Sequence, residues 1–190
     1  RVLFRSLGVS DMTIRRDLER LQAEGRLQKV HGGATTVEES ASFEPGFQAK
    51  VSLQPDAKDA IARATAGLVQ PGQAIAVSAG TTLHAVARHL LNVPGITVVT
   101  NSVPVADLLY RGGRSDQTVI LTGGTRTPSD ALVGPFAVAA LRTVNVDLVL
   151  MGVHGMALGP GFTTPNMLEA ETDRALVDAG RDRKSTRLNS

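Results

Sequence analysis

Two rhythms of apolar and polar positions divide the chain. From Thr13 to about Glu24 the apolar residues Ile14, Leu18 and Leu21 return at i, i+4 and i+7. That spacing predicts one amphipathic helix with Arg16, Glu19 and Arg20 on its far face and Thr13 and Arg15 on its flanks. Residues 35–55, TTVEESASFEPGFQAKVSLQP, keep no sustained period and hold Ser40, Ser42, Pro45 and Gly46, so they read as a linker. Beyond them, short aliphatic runs alternate with helical patterns. Asp56–Val69 reads as a helix, with Ala57, Ile61, Ala64 and Leu68 at helical spacing. Ala74–Ser78 reads as a strand, Thr81–Leu91 as a helix, Ile96–Thr100 as a strand and Val103–Tyr110 as a short helix. Thr118–Thr122 and Val146–Gly152 read as strands, Pro135–Arg142 and Leu168–Ala179 as helices. Proline at the first turn of a helix, as at Pro135, is tolerated. Strand–helix alternation at this spacing predicts an α/β fold, a parallel sheet with helices on both faces.

Composition sharpens that picture. With 42% hydrophobic residues but 3% aromatics, the core must be aliphatic, which suits a helix-covered parallel sheet better than an antiparallel sandwich. The 190 residues allow one full domain and a small appendage. There is no cysteine, hence no disulfide framework and no thiolate metal site. No apolar run is long enough to span a membrane, and the first residues have no signal-peptide layout. The expectation is a soluble cytoplasmic protein without a membrane partner.

The formal charge of +2 conceals an asymmetry. Residues 1–31 carry seven Lys/Arg against four acids, residues 181–190 four against one, and the middle nine against thirteen. A basic end on an acidic body points to a polyanion partner for that end alone. The local order there is informative. Leu7–Ser10 (LGVS) is a glycine turn of the kind that joins the helices of a helix-turn-helix, and Ser10 is a good N-cap. Gly25 stands where a helix stops. RLQKVHGGA then alternates like a small β-hairpin wing. Arginine on the exposed face of a second helix suits major-groove reading, and Lys29 and His31 on a wing suit backbone phosphates. A solvated charged helix face is the plain alternative.

SDMTIRRDL followed by EGRLQKVHGGA resembles the helix-turn-helix signature of the DeoR family of bacterial transcriptional repressors, with Ser10, Thr13, Ile14, Arg15, Arg16, Asp17 and Leu18 matching. SAGTT (78–82), VVTNS (98–102), LTGGT (121–125) and GFTTPNMLEAE (161–171) resemble that family's sensor domain in order and spacing, so the likeness runs from about Leu7 to Gly180. It implies a winged helix-turn-helix over residues 1–34 and a sensor domain over 56–180, in a Rossmann-like fold similar to ribose-5-phosphate isomerase. It also implies operator DNA as partner, read by Ser10, Thr13, Arg15, Arg16, Arg20, Lys29 and His31. The implied effector is a phosphorylated sugar or sugar acid, and the implied assembly is a homo-oligomer, with no cofactor, metal or catalytic residue. Where the family usually has Asp-Ser-Gly-Thr-Thr, this chain has Ser78 and Ala79 at the first two positions, so a carboxylate that reads sugar hydroxyls is missing. RDRKSTRLNS (181–190) reads as a non-native tail, and RVLFRS as another foreign stretch, which leaves the winged unit partial.

Ligands of open α/β sheets bind at the carboxyl ends of the strands. Three stretches stand there. Ser78, Gly80, Thr81 and Thr82 let a backbone approach and open a helix whose N–H groups can hold a phosphate. Thr100, Asn101 and Ser102 form a second loop, although Asn101 or Ser102 can simply cap the next helix. Gly123 and Gly124 form a third, readable also as a plain turn. An enzyme of the same sheet family, a sugar-phosphate isomerase or transferase, is the alternative. It needs a positioned carboxylate and a cation partner, and Asp107, Asp130 and Glu171 are the available carboxylates. Gly152–Gly161 is glycine-rich but lacks the G-x-G-x-x-G fingerprint. His84 and His89 are five apart, which is wrong for one helical face. His154 reads as a loop histidine, and Glu169, Glu171 and Asp173 as a solvated helix face.

Overall fold

A computed structural model describes residues 11–24, 26–30, 33–36 and 46–180. Leu7–Ser10, Gly25, His31, most of the linker's first half and the tail from residue 181 lie outside the described residues. The chain divides into two compact units, one ending at Pro45 and one beginning at Gly46.

In the first unit, α1 spans Asp11–Ala23 and begins two residues earlier than its periodicity predicts. Ile14, Leu18 and Leu21 are half-buried, whereas the helix's other described side chains are exposed. The Arg26 N–H reaches back to the Leu21 carbonyl at 2.9 Å, the six-to-one bond of a Schellman stop. β1 (Leu27–Val30) and β2 (Gly33–Thr36) then pair antiparallel, with Val30 opposite Gly33, and form the expected wing.

The second unit opens on α2 (Phe47–Val51), a helix inside the stretch expected to be linker. Five residues are too few to show a period. One buried aromatic holds it: Phe47 sets its ring edge-on to His84, with centroids 5.4 Å apart. α3 (Pro55–Ala66) follows, and its conspicuous sequence stripe is not the buried one. Ala62 and Ala66 face inward, and Ile61 and Leu68 face out. Alanines allow the neighbouring helix to approach closely, and packing rather than side-chain size chose the inner face.

Then come β3 (Ala74–Val77), α4 (Thr81–Leu90), β4 (Thr97–Thr100), α5 (Val103–Gly112) and β5 (Thr118–Leu121). Two short hairpins lacked a sequence signal, β6 (Thr125–Arg126) with β7 (Leu132–Val133), and β9 (Gly155–Ala157) with β10 (Gly161–Thr163). Between them lie α6 (Pro135–Arg142) and β8 (Leu148–Leu150), and α7 (Met167–Ala179) closes the unit. The main sheet has the order β5-β4-β3-β8, and every pairing in it is parallel. Ile75, Val77 and Val98 point to the side of α3, α4 and α5. Ala76 and Val99 point to α6 and α7, where Leu141 and Leu176 are fully buried. Strands covered on both faces account for the unbroken aliphatic runs.

One polar side chain secures the α4 end of this layer. Gln117 donates from Nε2 to the carbonyls of Leu90 (2.8 Å), which also accepts from the Val93 N–H, and of Val93 (2.7 Å) in the turn beyond the helix. Gln117→Ala is expected to cost about 1–3 kcal/mol, read as a lower urea midpoint. An unchanged midpoint would show that water replaces the amide without loss.

Candidate effector site and candidate DNA-binding helix

In the central sheet Val77 pairs with both Thr100 and Leu150, and Thr100 pairs with Leu121. The four strands therefore end at one level, and the three glycine- and threonine-bearing loops leave from the same edge side by side.

Within that edge the polar side chains point inward. Thr100 is fully buried; its hydroxyl donates to the Val77 carbonyl at 2.6 Å and accepts from the Ser102 N–H at 3.0 Å. The Asn101 amide joins three segments. Its Oδ1 accepts from the Ala79 N–H (3.0 Å), and its Nδ2 donates to the Leu132 carbonyl (3.2 Å). The Leu132 N–H returns a bond to the Asn101 carbonyl at 2.7 Å. Ser102 caps α5 by accepting from the Val105 N–H. Ser78 accepts from the Gly152 N–H at 3.0 Å and donates to the Ala79 carbonyl. These four residues form the frame of the edge, and their side chains are already used.

What remains open is backbone and two threonines. α4 starts at Gly80, whose φ of 138° is glycine territory, and no side chain caps it. A Cβ on Gly80 would meet nothing within 4 Å, so the loop faces free space. The Thr81 and Thr82 hydroxyls are half-exposed and have no hydrogen-bond partner among the described residues. Gly123 also faces open space, at φ 76°. Gly124 differs: a Cβ there would sit 2.6 Å from the Val133 carbonyl, so this glycine permits close packing. Its other neighbour is Ala137 in the first turn of α6, a helix that also starts at a glycine, Gly134, without a side-chain cap. Sequence reasoning passed over Gly134, although Gly-Pro ahead of an aliphatic run marks a helix start.

Glu169 departs from expectation. It is no solvated residue: half-buried in the first turn of α7, it accepts from the hydroxyls of Thr127 (3.3 Å) and Thr164 (3.1 Å). The segment 127–130 it helps to hold also receives α2, through the Phe47 N–H to the Pro128 carbonyl and the Lys50 ammonium to Ser129 Oγ. Lys58 donates to the Lys50 carbonyl, and its ammonium is held below the usual lysine range by burial first and by Lys50 second. A cleft of about 650 Å³ lies beside α4 and α5, with Phe47, His84, Asp107, Arg111 and Arg126 among its walls. The carboxylates that an isomerase would need do not assemble. Asp107 is exposed beside Arg111, Asp130 bonds Arg126 at 2.8 Å, and Glu171 is exposed.

On α1 the side chains of Thr13, Arg15, Arg16 and Arg20 are exposed. Arg20 is engaged by Glu24, Nε to Oε1 at 2.9 Å, which raises its already high pKa. Arg16 has no ion pair among the described residues. Lys29 lies in β1, while Ser10 and His31 lie outside the described residues.

A DeoR-like helix-turn-helix family model matches residues 2–40, and the DeoR C-terminal sensor domain matches residues 53–184. The chain belongs to the DeoR family. It is 37% identical over 178 residues to the HTH-type transcriptional regulator YgbI of Escherichia coli, covering 93% of this chain and 68% of that one. It is 38% identical to the HTH-type transcriptional regulator GlpR of Haloferax volcanii, covering 90% and 66%. The glycerol-3-phosphate regulon repressor of Escherichia coli is 29% identical, at 94% and 70% coverage. The chain thus spans about two thirds of the length of these relatives. They are transcriptional regulators, and this DeoR-family chain is one too, not an enzyme. No helix among the described residues is long and apolar enough to cross a membrane.

His84 offers a check on the packing beside the site. Burial first, and Arg88 second, hold its imidazole below the ordinary 6.5. The unfolded chain therefore takes up this proton before the folded chain does. The contribution of the neutral ring is complete above 6.5 and falls away as pH drops through that value to the lower folded pKa. The melting temperature of the parent is expected to fall more steeply than that of His84→Gln between about pH 7.5 and 5. Parallel curves would remove His84 as the cause.

Proposed function

We propose that this chain represses genes of carbohydrate metabolism in the cytoplasm by binding operator DNA as a homo-oligomer, and that a phosphorylated sugar or sugar acid controls it. The observation that carries the effector reading is the uncapped start of α4. Its free N–H groups, the helix dipole, the open backbone at Gly80 and the unengaged Thr81 and Thr82 hydroxyls suit a phosphate. One relative is the glycerol-3-phosphate regulon repressor, and glycerol 3-phosphate is likewise a small phosphorylated polyhydroxy compound.

The lack of a carboxylate at position 78 bears on which sugar hydroxyls are read and leaves the phosphate cradle intact. Ser78 spends its hydroxyl on Gly152 and Ala79, so it places no negative charge beside the anion. The frame residues Thr100, Asn101 and Ser102 act by positioning, and Gly80, Thr81, Thr82 and Gly123 form the ligand-facing part. Thr82→Ala is expected to weaken the phosphorylated ligand about tenfold, and removal of the phosphate from the sugar to weaken it at least as much. Equal calorimetric affinity for the sugar and its phosphate ester would overturn the cradle.

For DNA, α1 presents Arg15 and Arg16 away from its apolar stripe, and the β1–β2 wing follows it. Arg16 enters the groove unencumbered, whereas Arg20 must first be drawn from Glu24. In the full-length regulator, Arg16→Ala is expected to cost about 1–3 kcal/mol of operator affinity at a base contact. Unchanged affinity across a salt series would exclude it. Paired half-sites explain the need for more than one copy, since one small winged unit reads little sequence.

A further inference from the structure

α3 carries two apolar stripes, and the fold uses one. Ala62, Ala66 and, beyond the helix, Val69 are buried in the core. On the other side Ala57, Ala60, Ile61 and Ala64 form a row, continued by Leu68 after the helix, while Leu53 precedes the left-handed turn at Gln54 that opens it. Leu53 is 50% exposed, Ile61 54% and Leu68 63%. A surface helix ordinarily turns polar on its outer side.

Ala57 and Ala64 lie equally far from the Ala60–Ile61 bond, which joins the two unlike residues at the centre of the row. A stripe with matched positions on either side of its centre complements itself across a two-fold axis with the helices antiparallel, the isologous arrangement, and each Ile61 then meets Ala60 of the other copy. Alanine shoulders let the two helices approach closely, and Leu68 of each copy closes one end. The charges agree. Asp56 and Arg63 are seven apart and share one flank of α3. In a two-fold antiparallel pair that flank meets its own copy in reverse, which brings Asp56 of each helix to about 3 Å along the axis from the level of Arg63 of the other, within reach of a guanidinium. Arg63 already binds Asp59 within the chain, and a guanidinium has donors for both.

We propose that the outer face of α3 is a self-association surface whose occupant is α3 of a second copy of this chain, antiparallel. This rests on the oligomeric reading above and specifies its contact. The stripe runs roughly 17 Å along one helix, too little surface to supply the about 800 Å² per partner of a standard interface. The contact is therefore weak alone and is reinforced when two winged units share one operator.

The chain contains no cysteine, so engineered thiols report unambiguously. Under mild oxidation, Ala60→Cys is expected to give a disulfide-linked dimer, because residue 60 lies beside its own copy. Ala57→Cys and Ala64→Cys should stay uncrosslinked separately, since each lies about 10 Å from its own copy along the axis, yet crosslink when mixed. Ile61→Glu, at an exposed position that leaves folding intact by circular dichroism, should weaken self-association in sedimentation about tenfold or more. An uncrosslinked Ala60→Cys, self-crosslinking of Ala57→Cys as fast as Ala60→Cys, or unchanged sedimentation of Ile61→Glu would each overturn the proposal. Neither readout involves DNA or sugar, so failure here and failure of operator or effector binding are told apart.

Discussion

The register of four parallel strands governs the rest of the sensor unit. Because Val77, Thr100, Leu121 and Leu150 lie in one row, the loops after β3, β4, β5 and β8 emerge together. A slip of one residue on any strand would turn its buried side chains to the wrong helical layer, so register is strongly specified. Buried polar atoms then lock the edge. Thr100 and Asn101 have almost no exposure, and their side chains hydrogen-bond backbone groups of the neighbouring segments.

That frame explains a contrast between neighbouring helices. α5 closes its own N-terminus with Ser102, whereas α4 begins at a glycine and α6 at another, so their first N–H groups are left to other partners. Similar-looking loops therefore have different duties. The one with the richer polar side chains is the scaffold, and the one with the barest backbone faces space. An anion is favoured at a bare helix start because the dipole and the free donors act together.

The two units rest on different physics. The sensor unit buries a large aliphatic core on both faces of its sheet. The described part of the winged unit half-buries only Ile14, Leu18 and Leu21 on α1 and leaves its arginines in solvent. Among the described residues Arg20 is paired with Glu24 and Arg16 has no ion pair, so the two arginines offer unequal charge to a polyanion.

The linear pattern alone settled the alternation of strands and helices, the amphipathic stripe of α1, the wing, and the strand-end positions of the candidate loops, because each is a local period or turn signal. Motif order pointed to the family as well. Tertiary structure decided the rest. Periodicity displayed the Ile61 and Leu68 stripe of α3, yet the fold buried Ala62 and Ala66, since inter-helix distance outweighs side-chain size. α2 was hidden because one aromatic docked on distant residues holds it. Asn101 and Glu169 took their roles from partners tens of residues away, Asn101 bonding Ala79 and Leu132, and Glu169 bonding Thr127. A hydrogen bond between residues far apart in the chain leaves no period, and so only the folded chain shows which polar side chains are spent and which remain for a ligand.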